Sequence, residues 1–368
     1  MKHLITAMSL AALGAGPALA DSLLEDTVAF TAQIFQIDTG VPGLVIAVVR
    51  GDDSVVYGFG ETAIGSGITP DGDTQVGVGS LTKTFTGLSL AHLVADGAAQ
   101  LTDVPGPIAG VYDALPERDG ARIRLVDLAT HSSGLPRELD ELDGIDKYSD
   151  ASFAANLADD PLLFTPGQGI LYSNVGFDLL GMALGNIAGK PYPEVLQELV
   201  LDPIGLPNTG YDLAEGDNVM TGYDWNGNPI DFATFVPNRG GASSLRTTAN
   251  DMVRYLQWNL GAFDADTAEM QAISHAPWAM RDGRDPAYGM DESGHMDAIG
   301  LGWVVMMPEG DRPLILQKAG GADGIFSYTA FAPARGVGVF MAINQFNFAA
   351  SPAMAVVAND LIAELAPR

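Results

Sequence analysis

Ser80 and Lys83 are the first two residues of this chain that could do chemistry together. They stand three positions apart where the sequence pattern turns helical, and residues at that spacing share a helix face. An alcohol becomes a good nucleophile when a neighbouring base takes its proton, and an amine desolvated in a cleft has a lowered pKa that suits this role. The pair predicts nucleophilic catalysis assisted by a helix N-terminus. Taken alone, it also fits a plain helix start with Ser80 as N-cap and a solvated Lys83.

A tyrosine and an asparagine form the second candidate group, Tyr172-Ser173-Asn174, immediately before another predicted helix. A phenol at such a junction can relay a proton, and a side-chain amide can orient a peptide bond of a substrate. The competing interpretation is a packed tyrosine followed by an asparagine N-cap.

The third candidate group is Lys318-Ala319-Gly320-Gly321, at the end of a predicted strand. A lysine there can place its charge over a cleft, and glycines allow a substrate to lie along the strand edge. The backbone N–H after Gly320 could join that of Ser80 in an oxyanion hole. The competing interpretation is a surface lysine before a glycine turn.

The elements that must position these groups can be read from hydrophobic periodicity. Helices are predicted at 23–37, 80–96, 174–187, 191–200 and 352–365, and strands at 44–49, 55–59, 314–318, 325–332 and 337–343. Asp202-Pro203 is expected to stop the fourth helix. Strands at both ends of the chain predict one antiparallel sheet, with terminal helices on one face and a helical middle block on the other. The predicted fold class is therefore α+β.

Taken in order, the three groups resemble the Ser-x-x-Lys, Tyr-x-Asn and Lys-x-Gly motifs of the serine β-lactamases and penicillin-binding proteins, in the class C branch. The sequence around these motifs is also similar to that branch. Residues 131–136 are His-Ser-Ser-Gly-Leu-Pro, residues 164–167 are Phe-Thr-Pro-Gly and residues 300–303 are Gly-Leu-Gly-Trp. The resemblance runs from about residue 43 to 344. Within the branch, residues 128–138 and 289–304 are similar to D-alanyl-D-alanine carboxypeptidases/endopeptidases.

The resemblance implies a β-lactamase/transpeptidase-like fold, an α/β sandwich with an added helical lobe. It places the sheet lobe at about 21–79 and 236–368 and the helical lobe at about 80–235. It also implies an acyl-Ser80 intermediate, with proton transfer shared by Lys83 and Tyr172. Asn174, Gly320 and Gly321 would then bind the substrate, and Lys318 would face its carboxylate and Tyr172.

The implied function is a DD-peptidase that acts on peptidoglycan peptides and takes β-lactams as covalent ligands. Three alternatives stay open: a carboxylesterase on the same scaffold, a β-lactamase, and a binding protein without turnover. One departure from the family bears on this choice, because Ala319 stands where threonine is common. A missing hydroxyl removes a donor to a substrate carboxylate, at about 1.5–3 kcal/mol for a charge-assisted bond. That favours cross-link cleavage or ester hydrolysis.

Composition argues against several other functions. With 18 basic and 46 acidic residues, the chain has a formal net charge of −28 and no basic patch, so no nucleic-acid partner is expected. It has no cysteine, which rules out disulfides and thiolate chemistry. The five histidines have no paired metal-ligand spacing, so neither a metal nor an organic cofactor is predicted. His131 is expected to form structural hydrogen bonds in its loop.

The first twenty residues have the layout of a secretory signal peptide. A positively charged start precedes the apolar run 4–13, and Ala18-Leu19-Ala20 offers a cleavage site before Asp21. The run is too short to span a bilayer, which needs about 20 residues. We expect residues 1–20 to be removed and the hydrolase domain, 21–368, to be released into the periplasm without a membrane span.

Overall fold

The computed structural model describes residues 22–158, 160–211, 216, 218–261, 267–288, 290 and 295–366. The predicted signal peptide lies outside these residues. So do residues 289 and 291–294 of the segment that is similar to the carboxypeptidases/endopeptidases. No helix among the described residues is long and apolar enough to cross a membrane.

The strands come mainly from the two ends of the chain, as the hydrophobic runs predicted. In the described residues they are β1 (Gly43–Arg50), β2 (Asp53–Gly60), β3 (Gln75–Gly77), β4 (Glu117–Arg118), β5 (Ala121–Arg122), β6 (Gly222–Tyr223), β7 (Pro229–Ile230), β8 (Arg246–Thr248), β9 (Ala279–Met280), β10 (Ala298–Ile299), β11 (Val304–Met306), β12 (Ile315–Ala322), β13 (Ile325–Ala332) and β14 (Val337–Ile343).

One antiparallel sheet joins most of these strands, in the order β2-β1-β14-β13-β12-β11-β10-β9. The pairing of β1 with β14 brings the two ends of the chain together, with Leu44 opposite Ile343. Strands β9, β10 and β11 extend the sheet beyond the predicted meander. They span only two or three residues each, too few for an alternating pattern to reveal.

The helices fill the rest of the chain. In the described residues they are α1 (Ser22–Thr39), α2 (Thr82–Ala95), α3 (Leu125–Ala129), α4 (Asp150–Ala158), α5 (Asn174–Ala188), α6 (Tyr192–Leu196), α7 (Asp202–Ile204), α8 (Ala249–Leu260), α9 (Ala268–His275) and α10 (Ala350–Leu365).

The outer face of the sheet packs against the two terminal helices. Alternate residues of β1, Leu44, Ile46 and Val48, join α1 and α10 in one apolar cluster. The residues between them, beginning with Val45 and Ala47, belong to a second cluster on the inner face, which includes α2, α5 and α8. Because both faces are covered, the strand reads as a nearly unbroken apolar run.

One of the predicted helix boundaries is wrong. Residues 197–201 form a π-helical turn that leads into α7, so the helix predicted to stop at Asp202 continues to Ile204. Pro203 directly follows this π-helical turn, in which the regular α-helical hydrogen-bond pattern is already interrupted. The helical stretch ends at Gly205, whose φ of 78° is the left-handed conformation typical of a glycine helix end.

Candidate active site

Ser80 lies in a short 3₁₀ turn, Gly79–Leu81, that leads directly into α2. The turn packs closely against β12. A Cβ on Gly320 would lie 2.0 Å from the carbonyl oxygen of Val78, and one on Gly79 would lie 2.7 Å from the backbone of Gly321. Glycines at these positions therefore let the strand and the nucleophile turn come into backbone contact.

Lys83 lies on the first turn of α2 and is fully buried. Its Nζ is 3.1 Å from Ser80 Oγ, 2.6 Å from Asn174 Oδ1 and 2.8 Å from the carbonyl oxygen of Ala242. The interpretation of Lys83 as a solvated surface residue is therefore wrong. Burial lowers the pKa of Lys83 to about 7, against an opposing effect of the Asp178 carboxylate. Near neutral pH, a large share of this amine is unprotonated.

Tyr172 is buried on the other side of the nucleophile. Its hydroxyl oxygen is 2.5 Å from Ser80 Oγ. Three cationic groups surround its ring: Lys83 Nζ at 4.8 Å from the ring centroid, Arg137 Cζ at 4.9 Å and Lys318 Nζ at 5.2 Å. This arrangement electrostatically favours negative charge on the phenol oxygen or on a nearby substrate atom.

The start of α5 holds Tyr172 and Asn174 in place. Ser173, and not Asn174, is the N-cap, because its Oγ accepts a hydrogen bond from the N–H of Gly176 at 2.9 Å. Asn174 is thus free of the capping role and donates from Nδ2 to Glu138 Oε1 at 2.5 Å. His131 Nδ1 accepts from the N–H of Ser173 at 3.0 Å, so this histidine fastens its own loop to the helix start.

Lys318 reaches the same centre from β12. It is 1% exposed and lies opposite Thr329 of β13. The structure therefore brings Tyr172 and Lys318 together with Ser80 and Lys83, although the three motifs are far apart in the chain. Lys147 and Lys190 have surface contacts instead, to Glu141 and Glu198.

Asp178 is a buried carboxylate behind Lys83 to which the motifs gave no role. Its Oδ1 accepts a hydrogen bond at 3.1 Å from the N–H of Ala242, the residue whose carbonyl oxygen binds Lys83. Burial raises the pKa of Asp178 to about 7. A signal for it was present in the sequence, since it follows Asn174 by one helical turn and shares that face.

A cleft of about 460 Å³ opens in front of Ser80. One part of its wall is charged and polar, and another is aromatic. The lining includes Gly77, Ser80, Arg137, Glu138, Tyr172, Asn174, Tyr211, Phe232, Phe235, Arg239, Ser243, Ser244, Arg246, Ala319, Gly320, Gly321, Asp323, Phe326, Phe346 and Phe348.

A serine held between a buried amine and a phenol, at the mouth of a cleft and beside a glycine-rich strand, defines a serine hydrolase of the acyl-enzyme type. Comparison with known proteins agrees with this class. The β-lactamase family model matches residues 20–364, and the chain belongs to that family.

The relatives include peptidases as well as β-lactamases. The chain is 31% identical to the D-alanyl-D-alanine-carboxypeptidase/endopeptidase AmpH of Escherichia coli K12, over 89% of this chain and 86% of that protein. It is 24% identical to a β-lactamase of Pseudomonas fluorescens, over 83% and 89% of the two chains.

Solved structures give the same fold. A β-lactamase/D-alanine carboxypeptidase from Yersinia pestis, complexed with citrate, matches with a TM-score of 0.83 at 29% identity and covers 94% of this chain and 99% of its own. A class C β-lactamase matches with a TM-score of 0.78 at 21% identity and covers 96% and 99%. The predicted fold class and family are confirmed. The protein is a serine hydrolase of the DD-peptidase and β-lactamase group.

Proposed function

We propose that this protein is a periplasmic D-alanyl-D-alanine carboxypeptidase/endopeptidase that cleaves peptidoglycan peptides through an acyl-Ser80 intermediate. The proposed reaction type is supported mainly by the position of Ser80 Oγ, which lies 2.5 Å from the Tyr172 hydroxyl and 3.1 Å from Lys83 Nζ. The peptide substrate is supported by the 31% identity to AmpH, whose name states this activity.

Lys83 is suited to take the proton of Ser80. A neutral amine has two N–H groups and one lone pair, and Asn174 Oδ1 and the Ala242 carbonyl oxygen accept the two N–H groups. The lone pair is then left for the Ser80 hydroxyl. The lowered pKa of Lys83, about 7, keeps this neutral form populated near neutral pH.

The bond changes follow from this geometry. Ser80 Oγ attacks the carbonyl carbon of the D-alanyl peptide bond while its proton passes to Lys83. The backbone N–H groups of Ser80 and Gly321 stabilise the oxyanion. The carbon–nitrogen bond then breaks, Tyr172 delivers a proton to the leaving amine, and the Lys83 ammonium returns its proton to Tyr172. Water hydrolyses the acyl-enzyme in the second half of the reaction.

The binding roles complete the proposal. Asn174 holds the substrate amide, Gly320 and Gly321 present the strand edge, and Lys318 faces the carboxylate of the leaving D-alanine. The predicted signal peptide, residues 1–20, would direct the enzyme to the periplasm. An exported protein that begins at Asp21 is the expected product.

A carboxylesterase is the second candidate, favoured by two observations in the cleft. Ala319 offers no hydroxyl to a substrate carboxylate, and Phe232, Phe326 and Phe346 give the wall an apolar part that suits an uncharged substrate.

The test is digestion of purified muropeptides, a pentapeptide monomer and a cross-linked dimer, followed by mass spectrometry. Wild type should release terminal D-alanine and convert dimer to monomer, and Ser80→Ala should do neither. Turnover of p-nitrophenyl butyrate without action on either muropeptide would instead establish the esterase, and rapid nitrocefin turnover alone would establish a β-lactamase.

A further inference from the structure

Arg239 and Arg246 line the active-site cleft, and neither forms a direct ion pair with a carboxylate of the described residues, although Arg239 acts electrostatically on Asp178 and both act on Asp323. Across the part of the chain that the structure describes, neither guanidinium forms an ion pair or a side-chain hydrogen bond, and Arg239 Nε is buried without a hydrogen-bond partner. Other arginines of the described residues do bind acids, for example Arg118 to Asp160. Unpaired guanidinium donors in a cleft are suited to a ligand that accepts hydrogen bonds.

Aromatic rings hold both guanidinium groups in place. Arg246 Cζ lies 4.2 Å from the centroid of the Phe232 ring, and Arg239 Cζ lies 4.2 Å from that of Tyr148. Stacking on a ring leaves the N–H edges of a guanidinium available for a planar anion. It also fixes the side chain beforehand, which lowers the entropy lost when a ligand binds.

The charge of the cleft differs from the charge of the molecule. The chain has 28 more acidic than basic residues, yet Arg137, Arg239 and Arg246 line the cleft against Glu138 and Asp323. Burial raises the pKa of Asp323, and the two arginines partly oppose that shift. A cation-lined cleft with apolar walls focuses its field on an incoming anion.

The position of Arg246 indicates which part of a substrate it meets. Arg246 pairs with Gly77 on the strand that leads into Ser80, and its charge acts on Asp323, in the turn that follows β12. Lys318 lies four residues before Ala322, the last residue of β12, about 13 Å along the strand. If Lys318 faces the carboxylate of the leaving group, Arg246 faces the acyl part.

Arg239 lies nearer the reacting atoms. It precedes Ala242 by three residues, and its positive charge contributes to the lowered pKa of Lys83. The two arginines thus line the acyl part of the cleft, with Arg239 nearer Ser80 and Arg246 farther from it.

We propose that Arg239 and Arg246 form an anion subsite that selects acyl donors with a carboxylate on the acyl side of the scissile bond. This inference rests on the proposed acylation of Ser80 and narrows its substrates to acidic acyl groups. It is independent of whether the leaving group is D-alanine.

The test uses two penicillins that differ by one carboxylate on the acyl side chain, benzylpenicillin and α-carboxybenzylpenicillin. The second-order rate of adduct formation on Ser80 is followed by intact mass at low salt. Wild type should prefer the carboxylated compound. Arg246→Gln and Arg239→Gln should each lower the ratio of the two rates by about 10-fold, the loss expected for one charge-assisted hydrogen bond. The ratio cancels any general effect of Arg239 on Lys83.

Two variants serve as controls. Arg246→Lys should keep part of the preference because it keeps the charge, and Arg122→Gln, on an exposed residue outside the cleft lining, should keep all of it. Thermal melts show that each variant is folded. A ratio near one in wild type, or an unchanged ratio in both glutamine variants, would overturn the subsite while the acyl-enzyme chemistry stands. Absence of any Ser80 adduct would overturn the proposed function and the subsite with it.

Discussion

The two faces of the central sheet bury different kinds of residue. On the outer face, α1 and α10 pack on aliphatic and aromatic side chains, and the buried Gln317 is hydrogen-bonded by Tyr328. On the inner side, the protein buries Lys83, Lys318 and Asp178 near the nucleophile. The outer face contributes to stability through burial of apolar area. The inner side instead holds ionisable groups in a desolvated setting, where burial moves the pKa values of Lys83 and Asp178 toward neutrality.

This comparison predicts that the largest functional effect comes from one inner-face atom. Ser80→Ala removes the nucleophile and should reduce acylation by about 10⁴- to 10⁶-fold, as nucleophile removal does in other serine hydrolases. Intact mass after incubation with penicillin is the measurement. Ser243→Ala, which removes another hydroxyl of the cleft lining, should still form the adduct. An adduct on Ser80→Ala would mean that a different residue is the nucleophile.

A substitution in the outer cluster, the apolar side chains between the sheet and helices α1 and α10, should lower stability and leave acylation unchanged. Leu361 is 1% exposed on α10, and Leu361→Ala should lower the free energy of unfolding by about 2–5 kcal/mol through lost burial and a cavity. The acylation rate of the folded variant should be unchanged, because the sheet separates this cluster from Ser80.

Denaturant unfolding and the rate of penicillin acylation measure the two quantities in parallel. Val356→Ala, at a position of the same helix that is 59% exposed, is the matched control and should change stability by no more than about 0.5 kcal/mol. A slower acylation in folded Leu361→Ala would show that the two faces are not independent.

The same contrast explains what could be predicted from the sequence. The long strands and α10 were predicted because apolar runs, such as residues 44–49, and helical periodicity are local signals. Ser80 and Lys83 were predicted because their spacing is local too. Asp178 and the carbonyl of Ala242 were missed, because their contact with Lys83 depends on a tertiary approach between α5 and the 240–243 segment. Arg239 and Arg246 belong to no recognised sequence motif, so nothing in the sequence indicated that they line the cleft.

The pH dependence of acylation should reveal the inner-face charges. In the proposed mechanism the neutral amine of Lys83 is the base, so the rate should rise with pH through an apparent pKa near 7 and fall about tenfold for each pH unit below it. Asp178 is electrostatically coupled to this amine, so the apparent pKa of the rising part of the pH–rate profile, its acid limb, is a property of the two groups together. Penicillin acylation between pH 5 and 9 is the measurement, and a flat profile would contradict the role of Lys83.

Replacing Asp178 sharpens this test. The Asp178 carboxylate raises the pKa of Lys83, so Asp178→Asn should move the limb to lower pH. The asparagine keeps an oxygen that can accept from the N–H of Ala242, so the backbone around Lys83 retains its anchor. Asp178→Ala removes both the charge and the acceptor and should also lower the maximal rate. A limb that moves to higher pH in Asp178→Asn would contradict the assignment.

The smallest predicted effect concerns Ala319, which lies at the boundary between the two faces. Its side chain lines the cleft and also packs against the outer cluster. Ala319→Thr should raise the rate of acylation by a penicillin about 3- to 10-fold, because the added hydroxyl can donate to the carboxylate of the ligand. Hydrolysis of the uncharged p-nitrophenyl butyrate should not change. Ala319→Val has nearly the shape of threonine without the hydroxyl, so it separates the two roles. If valine produced the same gain as threonine, the position would act through its packing on the outer face, and the missing hydroxyl of Ala319 would not limit binding of the ligand carboxylate.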